Sequence, residues 1–331
     1  MSNKVQDIPA PDEPLVSVML VNWNTREMTL ECLRSVYEET RSITFEVIVV
    51  DNGSHDGSAK AIASDFPQVQ LMAEPVNHGF AQATNISVAK AQGRYILLLN
   101  TDTLILDGAI DRLVQFAHEN PDAKIWGGRT VFADGTLNPD SCWGRITPWS
   151  VFCMATGLAA AFPNSAFFNP EGYGDWRRDT VRPIDVVQGS FFLIEREFWE
   201  ELGGFDREFF MFGEEADLCA RARSAGAAPL MTPEAQIVHY GGQSTGAFAN
   251  RIVYVLGGRI GLIDRHFDKR WKRFGKTMTL FWAAWRSLVY RVLALFGSRF
   301  ADPARQWSEA WRRRDEWRTG PLSKQVSTKH Q

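Results

Sequence analysis

The chain of 331 residues is 45% hydrophobic and 23% charged, with a formal net charge of −3. This ordinary globular composition fits one large domain with appendages, and it excludes a low-complexity chain. Acidic residues outnumber basic ones in residues 1–250, whereas basic residues outnumber acidic ones in residues 251–318. A basic segment of this kind is compatible with an anionic partner and also with an ordinary solvated face.

The cysteines and the N-terminal sequence indicate in which cellular compartment the protein is expected. The four cysteines, Cys32, Cys142, Cys153 and Cys219, form no C-x-x-C pair, so no zinc or redox motif is predicted. Their small number argues against a disulfide scaffold and fits a reducing compartment. Residues 1–14 contain no apolar run typical of a signal peptide, and no run reaches the roughly 18 residues of a membrane span. We therefore expect a cytoplasmic protein.

Apolar runs and helical periodicities alternate along the first hundred residues. Strands are predicted over residues 15–21, 45–50, 69–72 and 95–99, and helices over residues 25–40, 56–64 and 80–92. Asp56 is the expected N-cap of the second helix, and Gly93 the expected C-cap of the third. The alternation predicts a mainly parallel α/β sheet with helices on both faces.

The second half of the chain is less regular. Residues 133–185 are irregular and rich in aromatic residues, which leaves a binding loop and packing between layers equally open. Further strands are predicted over residues 186–194 and 236–238, on either side of a helix over residues 214–225. Residues 251–297 are predicted to be helical.

Three predicted strands end in polar clusters: Asn22-Trp23-Asn24, Asp51-Asn52-Gly53-Ser54 and Asn100-Thr101-Asp102-Thr103. Ligands of open parallel sheets bind at the carboxyl ends of the strands, so three such clusters indicate a binding site rather than turns alone. No G-x-G-x-x-G fingerprint follows the first strand, and the Gly275-Lys276-Thr277 segment lacks the earlier glycine of a phosphate-binding loop. A nucleotide site without a glycine cradle needs another counter-charge for a diphosphate, most simply a divalent cation on carboxylate oxygens.

These clusters and four later blocks resemble family 2 glycosyltransferases, and among them the bacterial rhamnosyltransferase-like branch most closely. The blocks follow one another in the family's order at residues 16–24, 49–54, 77–81, 97–103, 203–206, 210–219 and 239–244. Each block alone is weak evidence for the family, but seven blocks in the same order over about residues 15–245 are strong evidence. The resemblance implies a Rossmann-like GT-A fold, an inverting mechanism and a nucleoside diphosphate sugar donor, with dTDP-L-rhamnose favoured.

The resemblance also implies roles for individual residues. The nucleotide and donor sugar would be bound by Asn22, Trp23, Asn24, Asp51, Asn52, Asn77, Gly79, Asn85, Asn100 and Asp102. Asp102 and His239 would hold Mn²⁺ or Mg²⁺. Glu215 is the expected general base, followed by Glu214 and then Asp217. The chain departs from the family pattern at Asn100 and Glu215, where Asp is usual, and at Trp23, where Tyr is common.

The chemistry of inverting transfer requires these residue types. The acceptor hydroxyl loses a proton as it attacks, which calls for a carboxylate, and the leaving diphosphate gains charge, which calls for a cation. Glu214, Glu215 and Asp217 also fit an acidic first helical turn without any catalytic role. Two other functions stay open: a sugar nucleotidyltransferase, although the first strand lacks its glycine-rich loop, and a degenerate, non-catalytic transferase subunit, suggested by Asn100 and Glu215.

The expected organisation has four parts: a flexible tail (residues 1–14), a GT-A catalytic domain (15–250), a helical extension (251–300) and a charged tail (301–331). Residues 277–297 predict an amphipathic helix with an apolar face of Met278, Phe281, Trp282, Trp285, Leu288, Val289, Val292, Leu293, Leu295 and Phe296. That face suits peripheral binding to the inner face of the cytoplasmic membrane, near a glycan or lipid-linked acceptor. Packing on the catalytic domain or across a homodimer would need the same stripe. No nucleic acid partner is expected.

Overall fold

The computed structural model describes residues 13–241 and 248–322, without the side chains of residues 248–250. The strands are β1 Val16–Asn22, β2 Phe45–Asn52, β3 Gln70–Glu74, β4 Tyr95–Asn100, β5 Thr103–Ile105, β6 Ile125–Val131, β7 Cys142–Trp143, β8 Arg182–Pro183, β9 Val186–Val187, β10 Phe191–Glu195 and β11 Leu230–His239. The α-helices are α1 Arg26–Glu39, α2 Ser58–Asp65, α3 Phe80–Val88, α4 Ala109–Glu119, α5 Pro148–Thr156, α6 Leu158–Ala161, α7 Arg196–Leu202, α8 Glu214–Ser224, α9 Phe248–His266, α10 Lys269–Ala294, α11 Ala301–Arg312 and α12 Arg314–Trp317.

The central sheet has the order β3-β2-β1-β4-β10-β6-β11-β5, with β8 added beside β11. Strands β3, β2, β1 and β4 are parallel, whereas β10 runs antiparallel between β4 and β6. Successive residues of the central strands enter different apolar clusters: Leu97 and Leu99 belong to one, and Ile96 and Leu98 to the other. Both faces of the sheet are therefore covered, as the strand–helix alternation predicts.

The structure corrects two predicted helix ends. Helix α3 ends at Val88, so Gly93 is not its C-cap. Gly93 instead lies against β1, where its N–H donates to Ser17 Oγ (2.8 Å) and a Cβ atom would lie 2.5 Å from the Ser17 backbone nitrogen. The N-cap of α2 is Gly57 rather than Asp56. The Asp56 carboxylate still accepts hydrogen bonds from the backbone N–H groups of Ser58 and Arg26, the first residues of α2 and α1.

The irregular middle segment contains a helix that the sequence pattern missed. Helix α5 begins with a capping box, in which the Thr147 and Ser150 side chains accept hydrogen bonds from each other's backbone N–H groups. The strand predicted over residues 186–194 is two strands, β9 and β10, in different sheets. Gln188-Gly189-Ser190 separates them, and the last strand begins at Leu230, earlier than predicted.

Helices α9 to α12 form the C-terminal part of the structure. Residues 301–317, which the sequence pattern assigned to a charged tail, are mostly helical because small and aromatic residues between the charges find packing partners. Trp317 has no exposed surface, and its indole N–H donates to the Ala310 carbonyl (2.8 Å). The chain then returns to the catalytic region, where the Phe210 N–H donates to the Leu322 carbonyl (2.7 Å).

Helix α10 buries a row of small residues, and Trp282 packs beside them against Trp307 of α11. Its buried positions are Gly275, Thr279, Ala283 and Ser287, spaced four residues apart. Residues on the opposite face of the helix are exposed. Met278 and Trp282, which the sequence pattern also assigned to the apolar face, pack against neighbouring helices, and α10 contacts α5 of the catalytic domain. None of the described helices combines the length and apolarity that crossing a bilayer requires.

Candidate active site

The strand register brings the three polar clusters to one edge of the sheet. Asn22 is paired with Asp51 across β1 and β2, and Val21 with Asn100 across β1 and β4. The Asn22 amide is completely buried, donates to Asp51 Oδ1 and Ser54 Oγ, and accepts hydrogen bonds from the Thr25 and Thr29 hydroxyls. Asn22 and Asp51 thus fix the loops that frame the edge.

A second amide network shapes the loop before α3. Asn52 donates to Asn77 Oδ1 (3.0 Å) and accepts from the His78 N–H (2.9 Å), while Asn77 accepts from the Gly79 N–H (2.8 Å). Gly79 has a positive φ of 81°, and a Cβ atom there would lie 2.4 Å from the Phe210 carbonyl oxygen. Only glycine allows this approach, which joins the loop to the segment that precedes α8.

A cavity opens at this edge between the sheet and the start of α8. Of the residues predicted for the site, Trp23, Asn52, Asn77, Asn100, Glu214 and Glu215 line it. Asn22, Asp51 and Gly79 are buried behind this lining. Asn24 is exposed at the rim of its loop, where its side chain accepts a hydrogen bond from the His55 N–H (2.8 Å).

Asp102 and His239 form a buried pair next to this edge. The antiparallel pairing of β5 with β11 sets His239 opposite Thr103, and His239 Nε2 lies 3.4 Å from Asp102 Oδ1. Among the described residues, neither Asp102 Oδ1 nor His239 Nδ1 has a hydrogen-bond partner. A buried polar atom without a partner costs free energy, so these unsatisfied atoms are what a cation site would use.

The donor set fits a divalent cation only in part. A carboxylate oxygen and an imidazole nitrogen are ordinary ligands of Mn²⁺. The described residues contain no cluster of three or more His, Cys, Asp or Glu side chains that could hold a metal ion. Asn100 lies beside the pair, with its Nδ2 3.5 Å from His239 Nε2. Two protein ligands leave room for oxygen atoms from a bound diphosphate.

Glu214 and Glu215 begin helix α8 and are both buried. Burial raises the pKa of Glu214 well above its ordinary value, and the neighbouring Glu215 charge raises it further. Burial also raises the pKa of Glu215, but hydrogen bonds from backbone N–H groups, including that of Gly213 (3.3 Å), partly offset the rise. The pKa of both carboxyls is therefore raised, that of Glu214 more strongly, so Glu215 is the more readily ionised of the two.

Comparison with known proteins identifies the family of the chain. Residues 17–203 match the family described as Glycosyl transferase family 2. The chain belongs to glycosyl transferase family 2. The match covers more than half of the chain and includes the three polar clusters.

Two curated proteins are similar to this transferase over about two thirds of its length. An N-acetylglucosaminyl-diphospho-decaprenol L-rhamnosyltransferase of Mycobacterium tuberculosis (strain ATCC 25618 / H37Rv) is 28% identical over 240 residues, which are 66% of this chain and 75% of that protein. The O-antigen biosynthesis protein RfbC of Myxococcus xanthus is 25% identical over 239 residues, which are 70% of this chain and 18% of that protein.

A solved structure confirms the predicted GT-A fold of the transferase. The mannosyltransferase PcManGT from Pyrobaculum calidifontis, solved in complex with GDP-Man and Mn²⁺, superposes with a TM-score of 0.55. The alignment covers 92% of this chain and 88% of that one, at 17% sequence identity.

Two of the predicted site residues make structural contacts in the transferase. Asp217 forms an ion pair with Arg221 (2.8 Å) and a hydrogen bond with His266 Nε2 (2.8 Å). Asn85 exchanges two hydrogen bonds with the Phe205 backbone, at 2.8 and 3.0 Å. Neither residue lines the cavity. Their contacts hold α8 and α3 in place around it.

The transferase cavity also includes residues that sequence reasoning did not assign. Gln188, Gly189 and Ser190 line it beside Met211 and Phe212. The first three interrupt an apolar run predicted as one strand, and that interruption is the signal that could have identified them. Phe212 has a positive φ of 67°, rare for a bulky residue, and it precedes the turn into α8.

Proposed function

We propose that the chain is an inverting, metal-dependent glycosyltransferase that moves L-rhamnose from dTDP-L-rhamnose to a hydroxyl of a lipid-linked glycan. The family and the activity of the mycobacterial relative support the donor sugar and the type of acceptor. The observation that carries the proposal is the cavity itself. It sets two buried carboxylates, Glu214 and Glu215, against a polar sheet edge next to the Asp102–His239 pair.

The nucleotide end of the donor would bind at the sheet edge. Trp23 offers an aromatic surface for the base, and Asn52 and Asn77 are held in place by their mutual hydrogen bond. Asn100 lies between this edge and His239. The buried network around Asn22 and Asp51 keeps the loops in one conformation before the donor arrives, which lowers the entropic cost of binding.

Glu215 would act as the general base. In a single displacement, the acceptor oxygen bonds to the anomeric carbon while the carbon–oxygen bond to the diphosphate breaks. The proton of the acceptor hydroxyl passes to Glu215, and the configuration at the anomeric carbon inverts. The pKa of Glu214 is raised more strongly by burial and by the Glu215 charge, which favours the negative charge on Glu215.

Asp102 and His239 would hold Mn²⁺ or Mg²⁺, and the cation when bound supplies positive charge for the leaving diphosphate. The PcManGT complex with GDP-Man and Mn²⁺ shares the fold and supports a divalent metal as cofactor. A lipid-linked acceptor would also locate the enzyme peripherally at the inner face of the cytoplasmic membrane.

The test is a transfer assay with dTDP-L-rhamnose, Mn²⁺ and a short-chain prenyl-diphosphate-linked N-acetylglucosamine, in which released dTDP is measured. Glu215→Gln should lower kcat by about 10²–10⁴-fold at nearly unchanged donor affinity, since removing a general base has this size of effect. Glu215→Asp, which keeps the carboxylate, should retain partial activity. NMR of the product should show an inverted anomeric centre.

Three outcomes would contradict the proposal. If Glu215→Gln keeps wild-type turnover while Glu214→Gln is inactive, the base is the neighbouring residue. If the wild-type protein binds the nucleotide but transfers nothing to any acceptor, a non-catalytic transferase subunit is the better description. If a different nucleotide sugar is the only donor turned over, the rhamnose assignment is wrong.

A further inference from the structure

Helix α10 presents an unpartnered apolar surface. Its outer face carries six exposed large side chains, here called the apolar stripe: Phe281, Trp285, Leu288, Val292 and, just past the helix end, Leu295 and Phe296. The last two are each 82% exposed. The first five recur at intervals of three or four residues, so they form one continuous line about 20 Å long. Contiguous exposed apolar patches are characteristic of interaction surfaces.

The apolar stripe cannot turn inward within this fold. The buried row opposite it consists of Gly275, Thr279, Ala283 and Ser287, and these small residues let α10 approach its neighbours closely. A Cβ atom at Gly275 would already lie 3.0 Å from the Phe267 ring and 3.1 Å from Ile263. Rotating the helix would drive tryptophan and leucine into that contact, where overpacking is costly.

The charge around the apolar stripe indicates what covers it. Residues 269–300 contain eight lysines and arginines and no acidic residue. Lys276 pairs with Asp264 of α9, but in the described parts of the chain Arg273, Arg291 and Arg299 make no ion pair. Arg291 lies three positions after Leu288 and therefore borders the stripe. Aromatic and aliphatic side chains flanked by arginines are typical of helices that lie in the interface of an anionic bilayer.

A second copy of the chain fits this surface less well. A two-fold dimer would bring each patch against itself, so Arg291, which borders the stripe, would lie near its own counterpart. Like charges in an apolar interface are unfavourable, and no acidic residue of α10 is available to balance them. An anionic lipid surface supplies the balancing charge.

We infer that α10 docks the transferase onto a bilayer containing anionic phospholipid, with the apolar stripe inserted among the headgroups. The role of this docking, which is to bring the active site near a lipid-linked acceptor, rests on the proposed function. Helix α10 packs on α9, and Gly258 of α9 lies directly against the turn before α8, where a Cβ atom would be 2.3 Å from the Phe212 carbonyl oxygen. Helix α9 therefore lies between the docking helix and the helix that begins with the two glutamates.

The experiment is vesicle flotation of the full-length chain, without donor or acceptor, on phosphatidylcholine vesicles with and without phosphatidylglycerol. The wild-type protein should float with the anionic vesicles, and raising the salt concentration should reduce this binding. The double variant Leu288→Glu/Val292→Glu should bind about 10- to 100-fold more weakly, from the lost burial of two side chains. Val181→Glu, at a residue of similar exposure (52%) outside α10, should bind like wild type.

Two results would overturn the inference. One is wild-type protein that stays unbound on anionic vesicles at low salt. The other is a double variant that floats like wild type, or that merely converts a dimer into a monomer in light scattering, which would assign the stripe to a second copy. Donor hydrolysis by the double variant should equal that of wild type, since both changes are on the surface. Failure of docking is therefore distinguishable from failure of the proposed transfer reaction.

Discussion

The central sheet and helix α10 distribute polar and apolar residues in opposite ways. The sheet buries its branched aliphatic residues on both faces and gathers amides and carboxylates at one edge. Helix α10 buries a row of glycine, threonine, alanine and serine and exposes tryptophan, phenylalanine and leucine. Apolar residues are usually buried and polar residues exposed, and the exceptions in the sheet are buried polar residues. In α10 they are exposed and apolar.

We propose that each region has its function where it departs from the usual burial of apolar residues. A buried polar atom without a hydrogen-bond partner among the described residues, such as Asp102 Oδ1, costs stability, and we propose that it serves a ligand. An exposed apolar stripe costs solubility and is kept for a surface. The same comparison predicts that the small residues of α10 matter more to stability than its large ones, and the variants below test this.

The largest expected effect on stability is at Trp317. Trp317→Ala should lower the free energy of unfolding by about 3–5 kcal/mol, because a fully buried indole and its hydrogen bond to Ala310 are both lost. Urea unfolding followed by circular dichroism measures this. The matched control is Trp285→Ala, whose indole is 47% exposed and which should change stability little. Equal losses in the two variants would mean that the C-terminal segment does not pack as described.

Two variants in α10 should show that enlarging a small residue lowers stability more than truncating a large one does. Ala283→Leu should destabilise the protein by about 1–3 kcal/mol, because the buried row has no space for three more carbons. Leu288→Ala, on the exposed face, should stay within about 0.5 kcal/mol of wild type. Thermal unfolding of both variants beside wild type is sufficient. The opposite ranking would show that the helix faces the protein with its apolar side.

The smallest effect is the pH dependence that comes from Asp217. Burial opposes ionisation, but the hydrogen bond from His266 and the charge and hydrogen bond of Arg221 outweigh it, so the pKa of Asp217 lies below its ordinary value. A carboxyl whose pKa is lowered by folding contributes stability above its unfolded pKa of about 4, and that stability disappears as pH falls through the folded pKa.

Asp217→Asn should therefore be less stable than wild type near neutral pH, and the gap should narrow in acid. Urea midpoints measured across the acid range test this, with the exposed Asp122→Asn as the control. Because Asp217 pairs with Arg221 and His266 rather than lining the cavity, its loss should change the stability more than the chemistry. A gap that is constant with pH would contradict the lowered pKa.

Much of the sheet could be predicted from the sequence, because runs such as those of β1, β2 and β4 are apolar, branched and bounded by polar clusters. The parallel arrangement then fixed the edge on which Asn22, Asp51 and Asn100 meet. The pairing of Asp102 with His239 was not visible in any local pattern, since it depends on β5 meeting β11. It came from the family resemblance.

Other features depend on tertiary contacts that a single sequence does not contain. Gly93 looked like a helix cap, but its role is a close approach to Ser17. Helical periodicity located the apolar face of α10 but could not say which side faces the protein, because small residues pack as well as large ones when helices approach closely. The hydrogen bond from Asn85 to the Phe205 carbonyl likewise forms only when two segments far apart in the chain meet.

The most direct test of the active-site assignment is calorimetry of dTDP binding with and without Mn²⁺, on wild type, Asp102→Ala and the exposed control Asp122→Ala. Wild type and the control should bind dTDP more tightly when Mn²⁺ is present, because the cation balances the diphosphate charge at the Asp102–His239 pair. Asp102→Ala should bind dTDP with an affinity that Mn²⁺ no longer improves. A metal-dependent affinity that survives in Asp102→Ala unchanged would contradict the assignment of this sheet edge as the donor site.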